Sequence, residues 1–306
     1  MTVDNPLRLG FCLPTFGKAA NEVGGIATYA VEAEKLGAAS LWVGDRLLTP
    51  VDPLVGYTPD STDIPIEFRS AADPLAALTI AAAVTNTPLL GSSTINAPWY
   101  SPALLARALT SIDIASNGRL IAGFGIGWSP EEYQAAGVPF EGRGGRLEEL
   151  LDVLETWWTA NPVAHEGPFT TIAASHVEAK PVQRPRPPIY LGAFGSPALR
   201  RIGRRADGWL PVVWAPEAFP ATQLADSWAV IERAAVAAGR DPEKIGKILR
   251  INVAAGASVE TVAAVALETV ELVRPEQTLI DFMFVADSVD HTLDLTGRVL
   301  ELVAAG

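Results

Sequence analysis

Short apolar runs alternate with longer amphipathic runs along the whole chain. The apolar runs have the length and flanking turn residues of buried strands, and they are Leu7–Leu13, Ser40–Gly44, Leu89–Ile95, Leu120–Phe124, Ile189–Leu191, Gly208–Val213, Ile248–Ala254 and Leu279–Val285. The amphipathic runs predict helices over 25–37, 74–85, 102–115, 145–159, 197–206, 216–239, 259–273 and 288–304. Eight strand–helix pairs predict an α/β fold, specifically a (β/α)8 TIM barrel. A doubly wound sheet is the alternative, but it usually has fewer repeats.

Four predicted helices begin with a capping residue followed by proline. The pairs are Asp73-Pro74, Ser101-Pro102, Ser129-Pro130 and Ser196-Pro197. Aspartate and serine side chains accept hydrogen bonds from the first-turn N–H groups, and proline is favoured at the first helical position. Glu132, three residues after Ser129, is interpreted as the capping-box partner of that serine rather than as a catalytic acid.

Two segments interrupt the alternation. Arg46–Ala72 follows the second strand and is longer than an ordinary connection, so it is either a lid that shapes the substrate site or a plain surface loop. Asn161–Pro188 is rich in proline and is interpreted as an insertion before the fifth strand, with short strands over His165–Phe169 and His176–Lys180. No linker or internal repeat divides the sequence, which predicts a single domain over residues 1–306.

Composition excludes several classes of protein. A length of 306 residues with 49% hydrophobic residues suits one large barrel with a buried core. The net charge of −12 argues against nucleic-acid binding. No apolar run reaches the roughly 18–20 residues of a membrane span, and the N-terminus lacks a secretory signal pattern. We therefore expect a cytoplasmic protein that acts on a small-molecule substrate, with no membrane partner.

Several common site types are also excluded. Cys12 is the only cysteine, so no intrachain disulfide can form, and its apolar surroundings predict a core position. The three histidines, His165, His176 and His291, lack the spacing of a zinc site. Neither a nucleophile elbow nor a phosphate-binding P-loop motif occurs. Gly123–Gly127 matches a dinucleotide fingerprint only loosely, because its third glycine comes one residue early.

Polar, glycine and aromatic residues collect at the carboxyl ends of the predicted strands. They are Thr15 and Phe16 after the first, Asp45 and Arg46 after the second, Ser92, Ser93, Thr94 and Asn96 around the third, Gly127, Trp128, Glu131 and Glu132 after the fourth, Gly192, Ala193, Phe194, Gly195 and Ser196 after the fifth, and Trp214 after the sixth. In a barrel these ends meet on one face, which is where barrel enzymes keep their active sites. The two tryptophans are interpreted either as pocket walls or as core aromatics.

Two of these segments predict specific chemistry. Asp45 follows an apolar run, so its carboxylate must be paired, capped or functional, and the structural alternative is a salt bridge with Arg46 or a loop cap. Gly192–Ser196 combines glycines with a helix start and would cradle an anion. Arg200–Arg205 adds positive charge just after it, or is simply a solvated helix face. The cradle and the arginines together favour a ligand that carries phosphate.

The chain resembles the bacterial luciferase-like monooxygenase superfamily, and in particular its coenzyme F420-dependent branch. The resemblance covers essentially the whole length, and residues 118–146 are its most specific part. It rests on Leu9–Pro14, Leu41–Arg46, Asp73–Leu75, Leu90–Ser93, Gly118–Leu120, Gly125–Trp128, Gly137–Phe140 and Pro187–Gly192.

This resemblance implies a barrel that holds a flavin or deazaflavin at the carboxyl ends of its strands, and a homodimer. It implies a non-proline cis peptide at Ser93–Thr94 against the ring, the cofactor phosphate on the cradle, and Asp45 near the reactive edge. The cofactor-binding residues that we expect are Thr15, Ser92, Ser93, Thr94, Gly127, Trp128, Gly192, Ala193, Phe194, Gly195 and Ser196.

The chain departs from the branch at one position. Well-known deazaflavin members have a histidine directly after the aspartate, where this chain has Arg46, so a histidine base is not expected.

The leading hypothesis is F420-dependent hydride transfer to or from a small organic substrate, with Asp45 as the catalytic residue, assisted by Arg46 or Glu131. The alternative is an FMN-dependent monooxygenase that receives reduced flavin from a separate reductase and uses oxygen. A third hypothesis is a barrel that binds a cofactor without catalysis.

Overall fold

The structure, a computed structural model, describes residues 7–22, 24–58, 61–217 and 220–305. Its strands are β1 Leu9–Cys12, β2 Ser40–Val43, β3 Leu89–Ser92, β4 Ile95–Asn96, β5 Leu120–Gly125, β6 Val163–Glu166, β7 Thr171–Ser175, β8 Ile189–Leu191, β9 Gly208–Trp209, β10 Val212–Ala215, β11 Gly246–Val253 and β12 Gln277–Asp281. Its α-helices are α1 Gly25–Lys35, α2 Pro74–Val84, α3 Pro102–Ala115, α4 Pro130–Ala135, α5 Arg143–Thr159, α6 Ser196–Arg205, α7 Ala221–Ala237, α8 Val259–Leu272 and α9 Val289–Ala305.

The strands close into a parallel barrel. Their order is β10, β11, β12, β1, β2, β3, β5, β8 and β9, and β9 pairs back with β11. The predicted third and sixth strands are each interrupted, into β3 and β4 and into β9 and β10. With each interrupted strand counted once, eight parallel strands surround the barrel axis. The predicted (β/α)8 barrel is therefore confirmed.

The barrel strands are buried on both faces, because their side chains alternate between the interior and the surrounding helices. Inside the barrel, one apolar cluster consists of Cys12, Trp42, Ile121, Tyr190, Leu210, Ile248 and Leu279. Gly91 makes room for the ring of Trp42, since a Cβ atom there would lie 2.3 Å from it. Cys12 is 7% exposed, which confirms its predicted core position.

Both predicted insertions are present, and the second differs from its prediction. Arg46–Ala72 contains a single 3-10 turn, Ile66–Arg69, among its described residues; residues 59–60 lie outside them. In the second insertion, β6 and β7 form an antiparallel hairpin outside the barrel. The strand predicted over His176–Lys180 is wrong. The chain reverses at Gly167-Pro168, where Gly167 N donates to the carbonyl oxygen of Thr170 at 3.0 Å. The second strand of the hairpin, β7, therefore ends at Ser175, before the predicted segment begins.

The capping residues behave differently at the four predicted helix starts. Asp73 caps α2, because its Oδ1 accepts a hydrogen bond from the first turn at 2.8 Å. Ser101 and Ser129 stand at the N-cap positions of α3 and α4, but neither side chain makes a capping bond. In α6 the N-cap is Gly195, so Ser196 is the first helical residue rather than the cap.

The helix predicted over 216–239 begins later than expected. It starts at Ala221, because Pro216 directly follows β10 and Pro220 occupies the N-cap position. Residues 218–219 of that prediction lie outside the described residues. Within the described ranges, no helix combines the length and the apolar character that crossing a bilayer requires.

Candidate active site

Asp45 lies at the carboxyl end of β2, where two hydrogen bonds hold one of its carboxylate oxygens. Its Oδ2 accepts from the backbone N of Asn96 at 2.9 Å and from the hydroxyl of Tyr100 at 3.2 Å. The Asn96 side chain donates in turn to the backbone oxygen of Asp45 at 2.9 Å. Among the described residues, Asp45 Oδ1 has no hydrogen-bond partner, so this oxygen is available to a ligand.

The environment of Asp45 suits proton transfer near neutral pH. Its side chain is buried, and this burial raises the pKa of Asp45 to about 7, although the bonds from Asn96 and Tyr100 favour the charged form. A carboxyl group with such a pKa can both accept and release a proton at physiological pH. Perturbed carboxylates of this kind are typical of catalytic sites.

Arg46 forms its ion pair with Glu132 rather than with Asp45. Its Nη1 lies 3.2 Å from Oε2 of Glu132 on α4, and both side chains are almost completely buried. The guanidinium stacks over the ring of Trp128 at 4.3 Å and over that of Phe68 at 5.1 Å. The structural alternative of an Asp45–Arg46 salt bridge is therefore wrong.

The capping-box interpretation of Glu132 is also wrong. Its Oε1 accepts from the backbone N of Leu47 at 2.7 Å, so the carboxylate holds the start of the long loop as well as Arg46. Ser129 donates instead to Oε2 of Glu131 at 2.7 Å, and Glu131 Oε1 accepts from Leu54 N at 2.7 Å. Two adjacent glutamates thus fasten Arg46–Ala72 to α4, and the carboxylate of Glu131 is occupied by that contact.

The bond between Ser93 and Thr94, in the gap between β3 and β4, is a non-proline cis peptide, as the resemblance implies. The carbonyl oxygen of Ser93 accepts a hydrogen bond from Arg250 on β11, across the barrel. Arg250 is also paired with Asp281 on β12, and its Nε donates to Asn252 Oδ1 at 2.8 Å.

The sequence reasoning missed Arg250 and Asp281. Their signal was a charged residue at an inward position of an otherwise apolar strand, since a buried charge needs a partner or a function. The two strands are neighbours, with Asn252 opposite Asp281 in the register. Polar side chains of β11 and β12 thus form a hydrogen-bonded cluster that contacts the interruption of the third barrel strand.

Glycines bring three strand ends into contact around Thr94. A Cβ atom on Gly125 would lie 2.4 Å from the hydroxyl oxygen of Thr94, and one on Gly192 would lie 3.1 Å from its methyl carbon. Gly127 has a φ of +64° and packs against the side chain of Asn96. The structure therefore brings together the predicted residues after the third, fourth and fifth barrel strands.

The predicted cradle begins beside Thr94 and opens to solvent. Ala193 is buried and its carbonyl oxygen accepts from Trp209 Nε1 at 3.2 Å, whereas Phe194, Gly195 and Ser196 are exposed. At the start of α6, Pro197 has no N–H and Ala198 N donates to the oxygen of Gly195 at 3.0 Å. Among the described residues, Ser196 N is therefore the N–H of this helix start that is left for an anion.

Most of the basic cluster Arg200–Arg205 is paired with carboxylates of α5. Arg201 and Arg204 pair with Glu148 at 2.7 and 3.3 Å, and Arg205 pairs with Asp152. Arg200 is exposed and has no carboxylate partner among the described residues. The sequence-based interpretation therefore overstates the positive charge that the cluster adds to the cradle. Among the described residues, Arg143 and Arg146 at the start of α5 have no carboxylate partner; they stack on Phe140 and Phe169, respectively. Arg201 connects α6 to this helix start through the oxygen of Gly144 at 3.2 Å.

Two other predicted residues are used inside the structure. Ser92 is fully buried, where its hydroxyl donates to the oxygen of Gly123 at 2.7 Å and accepts from Gly123 N at 3.1 Å. Thr15 is buried after β1, and its backbone oxygen accepts from Ala72 N at 2.9 Å, closing the far end of the long loop. Within the described ranges, no three His, Cys, Asp or Glu side chains are placed to hold a metal ion.

The fold and the site define a class, the (β/α)8 barrels with polar residues gathered at the carboxyl ends of their strands. The model of the family described as luciferase-like monooxygenase matches residues 7–295. The chain belongs to the luciferase-like monooxygenase family.

Two relatives show how far the sequence similarity extends. An uncharacterised protein of Mycobacterium tuberculosis is 31% identical over 204 residues, which span 60% of this chain and 70% of that protein. The F420-dependent glucose-6-phosphate dehydrogenase of Amycolatopsis mediterranei is 30% identical over 191 residues, which span 60% of this chain and 52% of that enzyme.

Solved structures share the fold over nearly the whole chain. The monooxygenase RslO1 from Streptomyces bottropensis has a TM-score of 0.78 at 18% identity, with 98% of this chain and 99% of that chain covered. The oxygenating constituent of 3,6-diketocamphane monooxygenase from Pseudomonas putida, in complex with FMN, has a TM-score of 0.74 at 15% identity, with 98% of each chain covered. An F420-dependent secondary alcohol dehydrogenase with an F420–acetone adduct has a TM-score of 0.67 at 19% identity, with 97% and 84% covered. Flavin and deazaflavin proteins therefore both occur among proteins of this fold.

Proposed function

We propose that the chain is an F420-dependent oxidoreductase that transfers a hydride to or from a small organic substrate. The observation that carries this proposal is Asp45, a buried carboxyl group with one free oxygen and a pKa near 7, at the carboxyl end of β2. The F420-dependent glucose-6-phosphate dehydrogenase supports the choice of cofactor, as a relative with 30% identity.

The residues at the barrel mouth fit a planar ring with a phosphate-bearing tail. Thr94 packs against Gly125 and Gly192, where added Cβ atoms would lie 2.4 and 3.1 Å from its side chain, so the two glycines fix the position of Thr94 at the mouth. The N–H of Ser196, at the exposed start of α6, suits a phosphate oxygen. When bound, the deazaflavin supplies the two-electron hydride chemistry, and the protein supplies position and charge.

We assign the proton transfer to Asp45. In the alcohol-oxidising direction, Asp45 Oδ1 would accept the proton of the substrate hydroxyl, and a bound deazaflavin would supply the hydride acceptor. In the reverse direction Asp45 returns the proton to the carbonyl oxygen. Asn96 and Tyr100 hold the other carboxylate oxygen and so fix the direction in which Oδ1 points. Arg46, which is paired with Glu132, positions the loop and takes no part in this step.

An FMN-dependent monooxygenase supplied by a separate reductase is the second candidate. It gains from the pairing of three of the four α6 arginines with carboxylates, because this leaves less positive charge on α6 to attract the acidic tail of F420. Arg143 and Arg146 replace them in the present proposal, as cations without a carboxylate partner in the described part of the chain that could attract that tail.

Titration of the purified chain with both cofactors tests the proposal. F420 should bind at least ~10-fold more tightly than FMN, a difference of about 1.4 kcal/mol. The double variant R143Q/R146Q should lose most of that difference, while R107Q on the outer face of α3 should keep it. Tighter binding of FMN by the wild type would favour the second candidate.

We further propose a homodimer in solution, which sedimentation of the same sample would test.

A further inference from the structure

Aromatic rings from separate strand ends meet over the barrel mouth. The ring of Tyr57, from the long loop, lies 5.0 Å from that of Phe68, 6.0 Å from Trp128 and 6.1 Å from Trp214. Trp214, on β10, stacks on Phe284, which follows β12, at 5.1 Å and 29°. We call Tyr57, Phe68, Trp128, Trp214 and Phe284 the aromatic cage.

The cage presents ring surface rather than a sealed core. Phe68 is buried beneath the others, whereas Tyr57, Trp128, Trp214 and Phe284 are each only partly buried. Partly exposed aromatic faces at such spacing suit the stacking of a further ring, which adds about 0.5–1.5 kcal/mol per pair beyond the burial of area.

The cations at the mouth are not available to an anionic substrate. Arg46 is paired with Glu132 and covered by Phe68 and Trp128. Arg250 is paired with Asp281 and donates to Ser93. Asp45 adds a negative charge once it ionises, so a carboxylate or phosphate in the cage would meet repulsion without compensation.

Tyr57 is held in place by contacts on both sides of it. Glu131 accepts from Leu54 N at 2.7 Å on one side, and Tyr57 N donates to the oxygen of Asp63 at 2.9 Å on the other. At the far end of the loop, Ala72 N is bonded to Thr15 O. The backbone that carries Tyr57 is therefore anchored.

Given the proposed function, we propose that the substrate is an uncharged alcohol or ketone that carries an aromatic ring, and that Tyr57 is its specificity-determining residue. The ring stacks within the aromatic cage, and the hydroxyl or carbonyl oxygen faces Asp45 Oδ1. Recognition then rests on ring faces and on one hydrogen bond, with no ion pair.

Calorimetric titration of the full chain with three ketones tests this proposal, with and without bound F420. Acetophenone is the uncharged aromatic probe, 4-acetylbenzoate adds one negative charge, and methyl cyclohexyl ketone removes the aromatic character. Acetophenone should bind ~10-fold or more tightly than either of the other two. Y57L should weaken acetophenone binding by ~10-fold and remove its advantage over methyl cyclohexyl ketone. Y57F should keep both the affinity and the preference, and W228L, on the outer helix α7, should change neither.

Equal or tighter binding of 4-acetylbenzoate would overturn the proposal, as would the absence of acetophenone binding up to its solubility limit. An unchanged acetophenone affinity in folded Y57L would remove Tyr57 from its role. If the ketone preference fails while F420 still binds, the proposed function stands without this substrate class. If F420 does not bind, the proposed function itself fails.

Discussion

Asn96 donates two hydrogen bonds of 2.9 Å to Asp45, one from its backbone N to the carboxylate and one from its side-chain amide to the backbone oxygen. The end of β2 is thereby locked to β4, beyond the interruption of the third barrel strand. The carboxylate keeps a fixed direction in a buried environment. The position and the direction of the Asp45 carboxylate therefore depend on Asn96.

Replacing Asp45 with asparagine should lower turnover while leaving cofactor binding nearly intact. Asparagine keeps the shape of the side chain but cannot accept the proton, and loss of general acid–base catalysis typically costs about 10²–10⁴-fold in rate. The measurements are kcat with a substrate that the wild type turns over, and the Kd of the cofactor, which should change by less than ~3-fold. D241N, at a surface turn, is the control. Wild-type turnover by D45N would remove Asp45 from catalysis.

The raised pKa of Asp45 also predicts how stability depends on pH. The folded carboxyl has a pKa of about 7, above its ordinary value, so the folded state binds the proton more tightly than the unfolded state does. This stabilisation is fully present below the unfolded pKa of about 4 and is lost as pH rises through about 7.

Between about pH 5 and pH 8, the free energy of unfolding of the wild type should therefore fall by roughly 2 kcal/mol more than that of D45N. Urea unfolding at both pH values measures this difference. Parallel pH profiles for the two proteins would show that the pKa of Asp45 is not raised.

The ion pair between Arg46 and Glu132 should contribute to stability because both partners are buried. The variant E132Q leaves the guanidinium of Arg46 without its counter-charge, which typically costs about 3–5 kcal/mol. The exposed pair of Lys35 and Glu32 on α1 offers a matched control, since E32Q should cost less than ~1 kcal/mol. Chemical unfolding compares the two variants. A cost for E132Q as small as that for E32Q would mean that the pair does not hold the loop.

Gly192 is expected to be required for the shape of the cofactor site. In G192A the added Cβ atom would lie 3.1 Å from the methyl carbon of Thr94, so Thr94 must shift. We expect cofactor affinity to fall by ~10-fold or more, equal to about 1.4 kcal/mol.

The control is G297A in α9, where the Cβ atom meets only an ordinary contact with Leu36 at 3.7 Å. This change should leave cofactor binding unaltered and raise helix stability by up to ~1 kcal/mol. Equal cofactor affinity in the two variants would place the cofactor away from Thr94.

The barrel could be predicted from the sequence because buried parallel strands and amphipathic helices leave different periods of apolar residues. The third strand was the informative exception. Its apolar run continues to Ile95, but the structure interrupts it after Ser92. Local pattern alone does not reveal this interruption, and in the sequence only the family resemblance indicated it.

The partners of the charged residues could not be predicted, because they are distant in sequence. Glu132 is close to Ser129 along the chain, yet it pairs with Arg46 across the folded loop. Arg201 and Arg205 form a basic cluster in the sequence, yet α5 supplies their counter-charges. Such choices depend on how loops and helices pack, which residue spacing does not encode.

A crystal structure of the chain with F420 tests the central claim most directly. The account predicts the ring against Ser93–Thr94, with Asp45 within hydrogen-bond distance of its edge or of a bound ketone, and the phosphate at Gly192–Ser196. A cleft of about 450 Å³ lies at the opposite end of the barrel and is lined by Tyr190 and Glu276 among others. Cofactor bound there, or a phosphate remote from Gly192–Ser196, would contradict the account.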